Sequence, residues 1–465
     1  MFFKPYYLGC LSHASYLIGG SNGEAAVIDP RRDVDDYIAD AEAAGLKIRY
    51  IIETHLHADF VSGHVELANR TGSVILVGAA TSVEFAHQVV RDGDEVVFGD
   101  VGLKFLETPG HTPEGISIVA TIGTESEPRM VFTGDTLFIG DVGRPDLAGW
   151  RGQSAETMAH AMYFSLKDKL LKLPDATELW PAHGAGSACG RALSDDRVST
   201  IGREKAFDPA LKPVLEENEE EFVTALLAGQ SAIPPYFPHD VTENRKGASP
   251  ISDILHRTRP MLPAEVEAVS ESGVLVLDTR YPNEYGSGHV PGSINIGLDG
   301  KFAPWVGALL DPKAPIIVVT SPGAEHDAIT RLSRVGFENV TGWLEGGIAA
   351  WRKAGGEIST VIQVLPAEVQ KSLMNEPALC VLDVRTDGEW QSGHIDNAIH
   401  IPVNELLARL NEVPGVPLAV MCGSGYRSSI ACSLLQRSGR RNVSNVMGGW
   451  AAWEKTERLA EHAGV

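Results

Sequence analysis

Apolar residues occur along the first 250 positions in short runs, and most of these runs lead directly into polar residues. Runs of this length, rich in β-branched residues, are typical of strands, whereas spacing of three to four residues is typical of helices. Strands are predicted at 27–29, 48–54, 74–77 and 130–133, and helices at 34–44 and 155–171. This alternation predicts an α/β fold with two sheets flanked by helices.

The rest of the chain repeats itself. Leu-Asp-Thr-Arg at 277–280 is followed 105 positions later by Leu-Asp-Val-Arg, and Ser-Gly-His at 287–289 returns at the same offset. The Gly-Gly-Ile-Ala-Ala-Trp segment at 346–351 has its counterpart at 448–453, 102 positions on. Motifs in the same order at nearly constant spacing indicate two copies of one fold.

The interior of the first repeat carries uninterrupted apolar runs at 274–277 and 315–319 and helical periodicity at 328–335. Continuous apolar runs are typical of central parallel strands that are covered on both faces. We therefore predict three domains: a front domain at 1–250, a middle copy at 258–357 and a rear copy at 361–461. The Pro-rich stretch 232–250 is predicted to be irregular, either an ordered extension of the front domain or a linker between it and the repeat.

Composition narrows the possible partners and the compartment. The net charge of −22 argues against binding to nucleic acid or to anionic membranes. Five scattered cysteines do not form a disulfide framework and fit a reducing cytoplasm. The N-terminal residues lack a long apolar stretch, so no signal peptide is predicted, and no apolar run approaches the ~20 residues of a membrane span.

The clearest chemical signal is the stretch Thr-His-Leu-His-Ala-Asp-Phe at 54–60. Both histidines leave the end of a predicted strand on a loop, where a rigid scaffold commonly displays functional groups. His55, His57 and Asp59 can all turn toward one ion. Phe60 cannot bind a metal, so the pattern indicates a single ion rather than two.

Later loops of the front domain add similar groups. His111 lies in a Pro-Gly-His-Thr turn, Asp135 follows the strand at 130–133, and His183 lies in a Pro-Ala-His-Gly loop. Arg144 adds a cation that can hold a carboxylate or a phosphate. Although each residue alone is a weak signal, several loops that each offer a histidine or an aspartate predict a metal site. Cys189 is interpreted as a packed cysteine.

The second chemical signal lies in the rear copy, where an apolar strand ends at Cys422. Gly423 and Gly425 allow the backbone that follows to curl, and helical periodicity begins near Ser428. Inward-pointing N–H groups, a helix N-terminus and the charge of Arg427 would stabilise an anionic persulfide on the cysteine.

The middle copy departs from this pattern. Alignment of the two copies places Thr320 at the position of Cys422 and Glu325 at the position of Arg427, with Pro322 in the loop between them. A hydroxyl cannot hold a persulfide, a carboxylate repels one, and proline removes an N–H donor. The middle copy is therefore predicted to be catalytically silent.

The order T-H-x-H-x-D, G-H, G-D and A-H-G over residues 10 to about 190 resembles the metallo-β-lactamase superfamily. Within it, Gly-Asp-Thr-Leu-Phe at 134–138 and Gly-Arg-Pro-Asp at 143–146 resemble the persulfide dioxygenase branch, whereas the glyoxalase II branch carries histidine where this chain has Phe60. The resemblance implies one Fe(II) per chain, held by His55, His111 and Asp135. His57, Asp59 and His183 would then surround the ion, orient its ligands and handle protons.

The sequence from Cys422 to Ser429, with the Asp-Val-Arg, Gly-His and Gly-Gly-Trp motifs, resembles the rhodanese family over residues of about 362–458. The resemblance implies that Cys422 is the sulfur acceptor. The backbone and side chains around it would form the cradle of its persulfide, namely Gly423, Ser424, Gly425, Tyr426, Arg427 and Ser428. The implied fold is a metallo-β-lactamase αββα sandwich followed by two rhodanese-like α/β domains, the first inactive.

The resemblance implies oxidation of a low-molecular-weight thiol persulfide by O2 to sulfite and free thiol, with glutathione, coenzyme A or a similar carrier. Cys422 would deliver sulfane sulfur or combine it with sulfite to give thiosulfate, in a homo-oligomer. Two alternatives stay open. A glyoxalase II-like thioester hydrolase would hold zinc through His55, His57 and His111, with Asp59 and Asp135 assisting a bound hydroxide. A non-enzymatic sulfur-binding scaffold would have a decayed front site.

Overall fold

The computed structural model describes residues 1–123, 127–375 and 378–463. The chain divides into two compact units. The first consists of Met1–Ile251 together with Ser333–Gly336, and the second of Ser252–Leu332 with Phe337–Val465.

The first unit contains two six-stranded sheets, each following the order of the chain from one edge to the other. The strands of the first sheet are Phe2–Leu8 (β1), His13–Gly19 (β2), Glu24–Ile28 (β3), Lys47–Ile52 (β4), Val74–Gly78 (β5) and Gln88–Val90 (β6). The strands of the second sheet are Glu95–Phe98 (β7), Val101–Glu107 (β8), Ile116–Ile122 (β9), Met130–Gly134 (β10), Glu178–Pro181 (β11) and Ser199–Thr200 (β12).

Helices accompany both sheets of this unit. They are Asp35–Ala43 (α1), His64–Thr71 (α2), Ala155–Asp168 (α3), Ile201–Phe207 (α4), Lys212–Leu215 (α5), Glu219–Leu227 (α6), Phe237–Lys246 (α7) and Ile251–Arg257 (α8), the last of which begins at the end of this unit. Single 3-10 turns lie at Asp146–Arg151, Leu170–Lys172 and Pro209–Leu211.

The main core lies between the two sheets. Ile52 of the first sheet and Phe105 and Phe132 of the second belong to one buried cluster. On the outer faces, Tyr37 of α1 packs in a cluster with the first sheet, and Met162 of α3 packs in a cluster with the second. This burial of apolar area on both faces of each sheet gives the layers helix, sheet, sheet and helix that the sequence predicted.

The predicted helices at 34–44 and 155–171 correspond to α1 and to α3 with its following 3-10 turn. The prediction of an irregular stretch at 232–250 was wrong over part of its length, because α7 covers Phe237–Lys246. Pro238 lies in the first turn of α7, where the missing N–H of proline costs no helical hydrogen bond.

The second unit contains two five-stranded sheets in which every strand pair is parallel. The first consists of Arg259–Met261 (β13), Leu275–Asp278 (β14), Ile294–Asn295 (β15), Ile316–Val319 (β16) and Val340–Leu344 (β17), in the order β13-β17-β16-β14-β15. The second consists of Ile362–Val364 (β18), Cys380–Asp383 (β19), Ile399–His400 (β20), Leu418–Met421 (β21) and Val443–Val446 (β22), in the order β18-β22-β21-β19-β20.

The two sheets have the same strand order, which confirms the duplication inferred from the repeated motifs. The helices of the middle copy are Pro263–Glu271 (α9), Pro282–Ser287 (α10), Phe302–Leu309 (α11), Glu325–Ser333 (α12) and Gly347–Lys353 (α13). Those of the rear copy are Pro366–Asn375 (α14), Asp387–Gln391 (α15), Tyr426–Arg437 (α16) and Gly449–Ala463 (α17), with a 3-10 turn at Leu410–Glu412. Among the described residues, no helix has both the length and the apolar composition to traverse a lipid bilayer.

Candidate metal centre and sulfur site

Four connections in the first unit deliver the predicted metal-site residues. The loop after β4 carries the histidines at 55 and 57, and the connection from β8 to β9 carries His111. Asp135 directly follows β10, and His183 follows β11. Because β10 and β11 are parallel neighbours, Asp135 and His183 leave their sheet at the same edge.

His55, His111 and Asp135 come together as one group of buried side chains. Asp135 Oδ2 lies 3.4 Å from His111 Nε2 and 3.8 Å from His55 Nε2. One ligand atom of each residue lies within 4.8 Å of the other two. Two imidazole nitrogens and one carboxylate oxygen that point to a common centre are suited to a divalent transition metal.

Hydrogen bonds to the other ring nitrogens fix these histidines. His111 Nδ1 donates to the carbonyl oxygen of Arg144 at 2.8 Å. His55 Nδ1 lies 2.9 Å from the Thr54 hydroxyl, which itself donates to Asp29 Oδ2 at 2.9 Å, so the imidazole is the donor. Both Nε2 atoms are thereby left to a metal, with the ligand orientation set by outer partners.

The electrostatics of this group also fit a metal ion. Burial lowers the pKa of both His55 and His111, which favours the neutral imidazoles that bind metals. Burial alone would raise the pKa of Asp135, but His183, His55 and His111 hold it well below its ordinary value. Asp135 Oδ2 is buried without a hydrogen-bond partner among the described residues, which is costly unless a cation satisfies it.

His57 lies apart from this group, although its ring centroid is only 4.1 Å from that of His55. His57 Nε2 lies 3.2 Å from Asp29 Oδ1 and 3.5 Å from Glu53 Oε2. Burial, together with the charge of Asp29, raises the pKa of Glu53 well above its ordinary value. The structure therefore places His57 with two carboxylates rather than with the group that surrounds Asp135 Oδ2.

His183 connects Asp135 to Asp59. Its Nδ1 lies 2.8 Å from Asp135 Oδ1, and its Nε2 lies 2.9 Å from Asp59 Oδ2. Burial would lower the pKa of His183, but the two carboxylates outweigh burial and raise it well above its ordinary value. The sulfur of Cys189 lies within 4.8 Å of ligand atoms of Asp59 and His183. Burial raises the pKa of its thiol, which favours the unreactive protonated form.

Phe60 fills the space beside the imidazole rings of His57 and His13. It is fully buried, and its ring centroid lies 4.4 Å from that of His57 and 4.0 Å from that of His13. Sequence reasoning missed His13, because it lies in a plain strand more than 40 positions before the histidine motif. Burial, together with the nearby imidazoles of His183 and His57, lowers the pKa of His13.

The sequence predicted that Arg144 can hold a carboxylate or a phosphate, and the structure shows its guanidinium group bound to a carboxylate of the chain itself. Its Nε and Nη2 donate to the two oxygens of Asp146 at 2.6 and 2.8 Å. Further hydrogen bonds go to the carbonyl oxygens of Ala188 at 3.1 Å and Ser231 at 2.6 Å. A substrate anion would have to compete with Asp146 for the guanidinium group, so the role of Arg144 in substrate binding stays a prediction.

Residues distant in sequence hold the loop at 54–60. Asn244 of α7 donates from Nδ2 to the carbonyl oxygens of His57 and Phe60, both at 2.8 Å. The Val61 N–H donates to the carbonyl oxygen of Arg334 at 2.7 Å, within the first unit. Tyr236 Oη donates to the Asp59 carbonyl oxygen at 3.3 Å. No local motif marks these residues, so they could not be identified from the sequence.

In the rear copy, Cys422 directly follows β21 and is fully buried. The Gly425 N–H donates to Cys422 Sγ at 3.1 Å, and Gly425 has a φ of 101°, which is rarely accessible to other residues. The Ser428 hydroxyl lies 3.4 Å from Sγ and donates to Asn445 Oδ1 at 2.6 Å. Gly425 and Ser428 thus both face the sulfur, whereas Ser424 is exposed.

Arg427 is held by a carboxylate that the sequence did not single out. Its Nη1 and Nη2 donate to the two oxygens of Glu389 at 2.7 and 2.6 Å. These hydrogen bonds lower the pKa of Glu389 to about 2. The Tyr426 hydroxyl donates to the Gly297 carbonyl oxygen at 2.6 Å, outside the rear copy.

Comparison with known proteins agrees with this architecture. Residues 8–183 match the Metallo-beta-lactamase superfamily, and residues 262–354 and 365–456 each match the Rhodanese-like domain. Cytoplasmic hydroxyacylglutathione hydrolase of Arabidopsis thaliana is 34% identical over 39% of this chain and 67% of its own length. The human mitochondrial persulfide dioxygenase ETHE1 is 30% identical over 44% of this chain and 73% of its own length.

A solved structure extends the similarity beyond the front domain. The metallo-beta-lactamase from Staphylococcus aureus subsp. aureus COL is 33% identical, with a TM-score of 0.64, over 74% of this chain and 98% of its own. The chain belongs to the metallo-beta-lactamase superfamily. More particularly, it joins a metallo-beta-lactamase domain with persulfide dioxygenase relatives to two rhodanese-like domains, which is the fusion architecture that the motifs indicated.

Proposed function

We propose that the front domain is an Fe(II)-dependent dioxygenase that oxidises the persulfide of a low-molecular-weight thiol, such as glutathione or coenzyme A. The observation that carries this proposal is the close group of His55, His111 and Asp135, while His57 belongs to a different group with Asp29 and Glu53. A set of two histidines and one carboxylate is typical of non-haem iron enzymes that activate oxygen. In the overall reaction, one persulfide, one O2 and one water give one thiol, one sulfite and two protons.

Iron bound by these three residues would offer open positions where the persulfide sulfur and dioxygen can meet. The chain's own residues would control protons and geometry around it. His183 lies between Asp135 and Asp59 and can hold a proton between these two carboxylates. His57, held by Asp29 and Glu53, would fix the loop that carries His55.

The rear copy is proposed to transfer sulfane sulfur through Cys422. When thiosulfate is the donor, the Cys422 thiolate attacks the outer sulfur, a new S–S bond forms on the cysteine, and sulfite leaves with the electron pair of the broken bond. The reverse direction would combine the Cys422 persulfide with sulfite from the front site to give thiosulfate. The N–H of Gly425, donating to the sulfur, supports an anionic species at this position.

A thioester hydrolase is the second candidate, because the Arabidopsis relative is a hydroxyacylglutathione hydrolase. Such an enzyme would need His57 as a third imidazole ligand. In the structure, His57 Nε2 instead lies beside Asp29 and Glu53, and Phe60 fills the adjacent space. This arrangement favours the dioxygenase.

Oxygen uptake by the iron-loaded full chain tests the proposal, with glutathione persulfide and coenzyme A persulfide as substrates. We expect O2-dependent sulfite formation and about one iron per chain. His111→Ala should lower the rate of oxygen uptake about 100-fold or more and reduce bound iron. Loss of even an outer partner of a metal ligand typically lowers metal affinity or activity about 10–100-fold. His87→Ala, a change at an exposed histidine, is the matched control. Hydrolysis of an acylated thiol without O2 uptake would favour the hydrolase.

We further propose that the chain works in the cytoplasm as a homo-oligomer, with domains at 1–250, 258–357 and 361–461. Five free cysteines are compatible with a reducing compartment. Light scattering of the purified chain measures the oligomeric state, and a monomer at micromolar concentration would contradict that part of the proposal.

A further inference from the structure

The middle copy has no cysteine at its loop, yet it makes a series of polar contacts with the helix that follows Cys422 in the rear copy. These contacts come from the segment 289–300 of the middle copy, which includes β15, and they reach α16. The hydrogen bonds run from Tyr426 Oη to Gly297 O at 2.6 Å, from Ser429 Oγ to Asn295 Oδ1 at 2.6 Å, from Asn295 N to Ser433 Oγ at 3.0 Å and from Arg437 Nη1 to Gly292 O at 2.7 Å, and His289 Nε2 lies 3.1 Å from Gln436 Oε1.

The most buried of these contacts lie near the start of α16. Asn295 and Ser429 are each 1% exposed, and Ser433 is fully buried. Asn295 is itself fixed, because its Nδ2 donates to the carbonyl oxygens of Asp278 and Arg280, both at 3.0 Å. A buried hydrogen bond between fixed groups defines a position more strictly than apolar contact does.

Close backbone approach completes the contact at Tyr426. A Cβ atom on Gly300 would lie 2.6 Å from the Tyr426 ring, so only glycine allows this packing. Burial raises the pKa of the Tyr426 hydroxyl, which keeps the phenol protonated as the donor to Gly297. The side chain of Tyr426 therefore makes its polar contact with the middle copy.

The same first turns of α16 also form the cradle of the sulfur. The Gly425 N–H that donates to Cys422 Sγ directly precedes Tyr426, and Ser428, beside Ser429, lies 3.4 Å from Sγ. A shift of the first turn would therefore move both groups relative to the sulfur. Misplacement by about 1 Å can cost a reaction about 100-fold.

We propose that the segment 289–300 positions the sulfur-transfer loop, with Asn295 as the positioning residue for the first turns of α16 and the Tyr426 hydroxyl as its anchor on Gly297. This inference rests on the proposed sulfur transfer at Cys422. It assigns a role to the silent copy, namely holding the loop of its partner copy rather than reacting itself.

The test measures thiosulfate-to-cyanide sulfur transfer by the full chain and, separately, the rate at which iodoacetamide alkylates Cys422, identified by peptide mass spectrometry. Tyr426→Phe should lower kcat about fivefold, the equivalent of one neutral hydrogen bond, with KM changed less than about twofold. Asn295→Ala should lower kcat about tenfold or more. Both variants should slow the alkylation of Cys422, because a displaced Gly425 N–H stabilises its thiolate less. Iodoacetamide needs no substrate-binding groups, so this rate reports on the loop and not on substrate binding.

Arg437→Gln is the matched control, since it removes a hydrogen bond to the same segment at the far end of α16. It should leave kcat and the alkylation rate unchanged. An equal effect of Arg437→Gln would show general loosening and overturn the proposal, as would a higher KM with unchanged kcat in Tyr426→Phe. If the wild-type chain transfers no sulfur, the proposed function fails, but slower alkylation of Cys422 in Tyr426→Phe and Asn295→Ala than in the wild type would still support positioning, and equal or faster alkylation would still overturn it.

Discussion

The middle and rear copies each contain a sheet with the same strand order and an equivalent buried ion pair, but they differ at the loop after the central strand. In the middle copy, Arg280 contacts Asp278 and donates to the Gly288 carbonyl oxygen at 3.0 Å. In the rear copy, Arg385 contacts Asp383 and donates to the Gly393 carbonyl oxygen at 2.7 Å. These pairs join a strand to the glycine after the next helix, so they maintain the fold.

The difference lies at the next strand end. Cys422 follows β21 in the rear copy, whereas the middle copy has Thr320 after β16. The rear loop presents the Gly425 N–H to a sulfur and carries Arg427, whereas the middle loop has Pro322, without an N–H, at the position of Ser424 and Glu325 at the position of Arg427. The residues of the shared ion pair are therefore separate from those around Cys422, so a copy can keep the fold and still differ at the loop.

The largest effect should follow from Cys422→Ser. A serine hydroxyl cannot carry a persulfide, so thiosulfate-dependent sulfur transfer should fall by about 1,000-fold or more. Oxygen uptake with a thiol persulfide should stay within about twofold, because the metal group belongs to the first unit. Parallel assays of both activities on one preparation measure this, and loss of both would show one obligatory path.

The shared ion pair should matter equally in both copies. Asp278→Asn and Asp383→Asn each leave a buried arginine without its carboxylate, which typically costs about 3–5 kcal/mol. Hydrogen exchange followed by mass spectrometry should show faster exchange in peptides of the copy that carries the change than in peptides of the other copy. Little change in the middle copy would mean that its pair has become dispensable.

The pair of Glu389 and Arg427 belongs to the rear loop alone and predicts a smaller, pH-dependent effect. Since the pKa of Glu389 is lowered to about 2 from 4.5, its contribution to stability is complete above about pH 4.5 and is lost as the pH falls toward 2. Glu389 is partly exposed, so we expect at most about 1 kcal/mol. Urea unfolding of wild type and Glu389→Gln should differ at pH 6 and converge near pH 2, and a constant difference would contradict the assignment.

The smallest effect should come from placing a cysteine sulfur in the middle copy at the position of Thr320. Thr320→Cys in a Cys422→Ser background should give less than about 1% of the wild-type transfer rate, because Glu325 takes the position of Arg427 and a nearby carboxylate disfavours a thiolate. Alkylation of the new cysteine, compared with that of Cys422, measures the same property directly. Substantial transfer by this variant would mean that the loop contributes little beyond its sulfur.

Local patterns in the sequence predicted much of this molecule. Period and apolar runs indicated the strands, the repeat indicated two copies, and the Thr-His-x-His-x-Asp motif placed His55 at a strand end. These features depend on neighbours along the chain, where spacing alone decides which face a side chain occupies. The helix Phe237–Lys246 was missed, since the prolines before it suggested irregular structure.

What the sequence determined by itself was the inventory of groups at each strand end, the duplicated fold and the position of Cys422 at the end of an apolar strand. Only the tertiary structure decided which groups meet: it set His111 and Asp135 beside His55, turned His57 toward Asp29, and brought Glu389 to Arg427. The physical reason is that a motif fixes only nearby backbone geometry. Contacts between residues that are tens or hundreds of positions apart depend on how sheets and helices pack. Local sequence patterns do not specify that packing.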